Sequence, residues 1–108
     1  MIFRRRFGEL IDRQLDLFEQ DNAGLFERLE DAEDEYRRAG RGDAEERFGD
    51  LQELLSEGGE TLVELRDTYA ETLEDNAVEE YAAAFDVAVL RRFPQFALEL
   101  DNDEEGED

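Results

Sequence analysis

Between Ile11 and Tyr69 the apolar residues form two ladders that mirror each other about Gly40. The first runs Ile11, Leu15, Phe18, Asn22, Leu25, Leu29, Ala32, Tyr36, its spacings alternating four and three. The second runs Ala44, Phe48, Leu51, Leu55, Gly58, Leu62, Leu65, Tyr69, with the same alternation reversed. A 3/4 alternation is the seam of a helix packed lengthwise on another helix. Folding the chain at Gly40 pairs rungs whose residue numbers always sum to 80, from 36 with 44 down to 11 with 69. Any two such ladders can be phased together, so the turn at their centre, Arg38-Ala39-Gly40-Arg41-Gly42, is what makes the symmetry informative. The expected fold is all-α: a long antiparallel helical hairpin, a third helix packed across its open end, an extended C-terminal strip and an acidic tail.

The pattern places helices at about residues 7–38, 44–73 and 77–92 within one domain spanning 1–100. The first is supported by acid-to-arginine pairs four apart, Glu9–Arg13, Glu33–Arg37 and Asp34–Arg38. Gly40 and Gly42 supply a permissive backbone for the connection. Asp43 with Glu46, and Asn76 with Glu79, read as capping boxes opening the second and third helices. Arg91 and Arg92 complement the end of the third, and Pro94 stops it. Phe96, Leu98 and Leu100 then alternate with Ala97 and Glu99, which predicts an extended segment lying in a groove of the bundle. Residues 101–108 are acidic and expected to be disordered.

Stripe width predicts where the third helix packs. Phe7, Leu10 and Leu17 widen the first ladder near its start, and Val63 and Leu73 widen the second near its end, so the third helix should cover that open end. Its stripe is Val78, Tyr81, Phe85, Ala88 and Val89, with Ala82, Ala83 and Ala84 thinning it for close approach. The tip at Gly40 is then a two-helix arm whose Leu25, Leu29, Leu51, Leu54 and Leu55 lack cover on one side. They form a candidate self-association face, and a homodimer is expected. One rung departs from the apolar rule: Asn22 falls level with Gly58, beside Gly59 and Gly24. This reads as a register-fixing packing contact, with a hinge as the alternative.

Chemistry is constrained by what is missing. The 108-residue chain has no cysteine, histidine or lysine, so thiolate, imidazole and Schiff-base catalysis are excluded. There is no glycine-rich phosphate loop. Glu27, Glu30 and Glu33 recur every third residue, but without an accompanying Glu–His pair they read as a solvated face rather than a metal site. No catalytic residue, metal or cofactor is expected. No apolar run reaches the length of a membrane span, and the first seven residues are too short and too charged for a secretory signal. Thirty-three acidic residues against twelve arginines give a net charge of −21, which suits a salt-loaded cytoplasm; a high-GC mesophile is the alternative.

Arginines gather at Arg4, Arg5 and Arg6, and again at Arg91 and Arg92. With Phe3, Phe7 and Phe93 nearby, these form a candidate anion patch at the open end. Its structural role is to receive acidic segments and complement helix ends. The bulk charge opposes nucleic acid. The function expected is therefore a non-enzymatic, cytoplasmic protein–protein interaction or scaffold module, self-associating and with a further protein partner. The alternative is a peripheral adaptor that binds anionic lipid or nucleic acid through the arginine patch.

Overall fold

A computed structural model describes the backbone of residues 2–98 and 100 and the side chains of residues 6–98 and 100. The expected tail at 101–108 and the side chains of Phe3, Arg4 and Arg5 lie outside these. The described chain is all-helical: α1 (Ile2–Asp21), α2 (Ala23–Arg38), α3 (Ala44–Ala70), α4 (Asp75–Arg92) and a 3-10 turn at Pro94–Phe96.

The single helix expected over 7–38 is two. Asn22 leaves helical geometry, at φ −118° and ψ 32°, and its side-chain amide donates to the Phe18 carbonyl at 2.9 Å. That carbonyl also accepts the Asn22 backbone N–H at 3.0 Å. Asparagine competes with the helix ladder in this way, which is why it interrupts rather than spans a helix interior. The capping boxes do not form: Asp43 caps α3 without a side-chain bond, and α4 starts at Asp75 after an extended Glu74, which leaves Asn76 inside the helix rather than at its cap. The α2–α3 turn closes with Asp43 and Ala44 N–H groups donating to the Gly40 carbonyl, and no described glycine has positive φ. Gly40 and Gly42 are therefore not there for left-handed backbone.

α2 and α3 run antiparallel: Arg28 pairs with Glu57 at 3.3 Å, Arg47 with Glu35 at 2.9 Å, and the Tyr36 and Phe48 rings lie 5.6 Å apart. The ladder sets Tyr36 opposite Ala44; instead its ring meets Phe48, because helical side chains lean toward their own N-termini and so pass each other in an antiparallel pair. Arg37 turns to the side chain of Asp34, three residues back, and Arg47 crosses to Glu35 of α2.

At the other end α4 enters the seam. Tyr81 sits between Phe7 of α1, at 5.4 Å between ring centres, and Tyr69 of α3, at 4.9 Å. α1 packs chiefly on α4 and runs parallel to it, since Arg6 reaches Glu80 while Arg92 reaches Asp16 and Glu19. α4 runs antiparallel to α3, with Arg66 on Asp86. Beyond α4 the expected extended strip is helical. Proline fits the first position of a helical turn, and Phe96 and Leu100, four apart, are both buried while Leu98 is 71 % exposed. Phe18, Phe26, Phe93 and Phe96 form an aromatic cluster with ring centres 5.5–6.3 Å apart where α1 gives way to α2.

Gly58 belongs to that cluster and not to Asn22. A methyl placed on it would come within 2.9 Å of three carbons of the Phe96 ring. Gly58 and Gly59 are both buried, and glycine lets the ring lie directly on the α3 backbone. The nearest neighbour of Gly58 is thus the Phe96 ring and not Asn22, the register partner that the ladder suggests.

Tyr81 is fully buried, and its hydroxyl donates to Gln14 at 2.8 Å. Burial pushes its ionisation up to about 12. Below pH 10 the phenol is neutral in the folded and unfolded chain alike and its contribution is complete. Between pH 10 and 12 only the unfolded form ionises, so stability should fall there by up to ~2–3 kcal/mol. Urea midpoints across that range, with Tyr81→Phe flattening the fall, check this.

Candidate interaction surface

The residues proposed from sequence separate into distinct environments. Leu25 and Leu29 are 2 % and 4 % exposed within a single chain, so they are core and not an open face. Leu51, Leu54 and Leu55 are half-buried against that core. Of the expected self-association face, only the edges of these three remain; Tyr36 and Phe48, which that face did not include, are 40 % and 45 % exposed. These leucines belong to the same core cluster as Phe26, Phe93 and Phe96.

The arginine patch is partly spent on internal pairs. Arg92 holds Asp16 at 2.5 Å and Glu19 at 3.0 Å, and the Asp16 bond raises its pKa. Arg6 holds Glu80 at 3.4 Å. Phe7 and Phe93 are buried, while Arg91 is exposed. Glu27, Glu30 and Glu33 are all exposed. Among the described residues no three carboxylates gather as a metal site would require.

Sequence reasoning did not find the surface feature that stands out, a trough of about 630 Å³ between α1 and α4. α4 lines it with two rows spaced by four residues, Asn76-Glu80-Ala84-Ala88 and Glu79-Ala83-Val87-Arg91; α1 contributes Gly8, Ile11 and Asp12. Each row is polar at its start and apolar in its middle. The spacing follows from helical geometry: residues four apart form a ridge, and two such ridges frame a groove. Gly8, Ala83, Ala84 and Ala88 keep the walls low. Val87 at 38 % and Leu90 at 57 % exposure extend the apolar area on α4. Glu79, Glu80 and Asp12 stand on the rim. Glu80 offers Oε1 to Arg6, and its Oε2 is buried without a hydrogen-bond donor among the described residues.

A signal for this surface was present. From Ala77 to Leu90, α4 carries three charged residues, in a chain where 42 % are charged. Tyr81 and Phe85 face the core, yet Val87 and Leu90 point away from it. A helix apolar on both sides is covered on both sides or has an open surface. Among the described residues no helix is long and apolar enough to cross a membrane. No family model, curated protein or solved structure matches this chain.

Proposed function

We propose that this chain is a non-enzymatic protein–protein interaction module. One observation carries the reading: an apolar trough lies open between α1 and α4 on a chain whose other surface is dense with carboxylates. Charged surface this dense disfavours non-specific association, so an apolar strip left within it marks a place meant to be covered. The absence from the sequence of histidine, cysteine and lysine supports a binding rather than a catalytic role. Within this proposal the α2–α3 hairpin is the rigid arm of the module, and self-association through Tyr36, Phe48 and the leucine edges is the secondary contact. The adaptor alternative has less support, because Arg6 and Arg92 are already held by carboxylates. A salt-loaded cytoplasm remains the proposed setting for the −21 charge.

Nile red, an uncharged apolar dye, tests the reading. Its fluorescence should rise on the folded protein at 1 M NaCl, and Ala83→Trp, which fills the trough at an exposed position, should remove the rise without changing the melt. Dye that ignores the folded protein, or that binds Ala83→Trp equally, rejects the proposal.

A further inference from the structure

We infer that the α1–α4 trough receives an amphipathic helix of a partner protein, one with a small apolar stripe and a basic last turn, lying antiparallel to α1 and α4. This rests on the interaction-module reading and names its partner by chemistry. Three features of the trough select that occupant. Its walls are two four-spaced ridges with low side chains at Ala83, Ala84 and Ala88, the surface into which the ridge of another helix fits. From Asn76 to Arg91 it runs ~22 Å, the length of about four helical turns. A helix laid there would join α1, α3 and α4 as the fourth member of a bundle.

Charge then chooses among helices. At the trough, the acidic surface of a second copy, from a chain of net charge −21, would meet the rim carboxylates Asp12, Glu79 and Glu80, whereas a cationic helix is attracted there. The rim is also polar along its length: Glu79 and Glu80 stand at one end, Asp12 lies between, and Arg91 closes the other end. α1 and α4 run parallel, so their dipoles add, and an antiparallel occupant opposes them. That orientation puts the occupant's C-terminal turn at Glu79 and Glu80. Basic side chains are favoured in a last turn, and here they meet the exposed Glu79, next to Glu80, whose Oε1 already accepts from Arg6. The occupant's first turn, where acidic residues are favoured, falls at Arg91.

Three labelled peptides of about sixteen residues test this by fluorescence anisotropy on the full chain at 0.15 M and 1 M NaCl. The first has an Ala/Leu stripe and two arginines in its last turn. The second is a scramble of it without the stripe, and the third has glutamates in place of the arginines. The first should bind, on the order of 10 μM or tighter, and the others at least about tenfold more weakly. Glu79→Arg should weaken the first peptide about tenfold at 0.15 M NaCl and less at 1 M. Ala83→Trp should abolish binding at both salts, with the melting curves of both variants close to wild type. Equal binding of the scramble, or binding untouched by both variants, overturns the inference. So does equal displacement of the peptide by spermine, which would make the site one for small organic cations. A dimer in light scattering that Ala83→Trp converts to monomer overturns it in favour of a second copy. If Nile red still reports the trough while no basic helix binds, the partner chemistry is wrong and the module reading stands; loss of both results removes both.

Discussion

Phe96→Ala is expected to destabilise the chain by about 3–5 kcal/mol, the range for truncating a fully buried phenylalanine. Phe96 is fully buried, touches the rings of Phe18, Phe26 and Phe93, and lies on the α3 backbone at Gly58. It joins the C-terminal turn to three helices, so no small movement of one element can refill the space. A small domain holds ~5–15 kcal/mol in all, and the melting temperature should fall by on the order of 15–25 °C. Phe48→Ala, at a ring 45 % exposed near the hairpin tip, should cost less than ~1 kcal/mol. Gly58 provides the sharper check. Gly58→Ala alone should destabilise by about 1–3 kcal/mol, because the methyl overlaps the Phe96 ring. In the Phe96→Ala background the same change should become neutral, or stabilising by up to ~1 kcal/mol, since alanine is the better helix former. Urea unfolding of the four proteins gives this cycle, and additive losses would show that ring and glycine do not meet.

The Gly58–Phe96 contact also shows where sequence reasoning stopped. The four-and-three ladders specify helices strongly, because periodicity is a local property repeated over many residues. What a rung touches is not local. Asn22 and Gly58 share a level on the ladder, and nothing in their spacing reveals that Phe96, thirty-eight positions later, fills the place opposite the glycine. The alternation of Phe96, Leu98 and Leu100 fits a strand period, but Phe96 and Leu100 also fit one helical face. Pro94 serves equally as the stop of α4 and the start of the next turn. Buried ends decided between these readings. The trough was missed for a related reason. In sequence, Ala82, Ala83 and Ala84 read as thinning α4 for close packing, whereas the buried stripe of α4 is Ala77, Tyr81, Phe85 and Val89, which turns Ala83 and Val87 outward.

Asp86→Ala is expected to cost about 2–3 kcal/mol, out of proportion to a carboxylate on a helix surface. Its partner Arg66 is the buried charge among the described residues, 6 % exposed, and lies on the α3 face toward α4. Nη1 donates to both Asp86 oxygens, at 3.0 and 3.2 Å, and Nε donates to Asp67 at 2.9 Å. Burial works against the guanidinium charge, but the bonds to Asp67 and Asp86 outweigh it and its pKa is raised. Removing one partner of a buried pair leaves the other charge poorly compensated, a cost of ~3–5 kcal/mol when nothing else remains. Asp67 stays in place after Asp86→Ala, which sets the smaller figure. The pair itself contributes little net stability, since both groups gave up water to form it. Arg66→Met in the Asp86→Ala background should therefore recover most of the loss, with an apolar stem of similar length in the same space. Salt separates this pair from the surface ones. At 1 M NaCl the Asp86→Ala loss should persist, because buried charges are screened least. Arg28→Ala removes a pair whose side chains are 56 % and 52 % exposed, and should stay within ~0.5 kcal/mol at any salt. If the Arg66→Met/Asp86→Ala double variant is no more stable than Asp86→Ala alone, the loss comes from packing at Asp86, not from the stranded guanidinium.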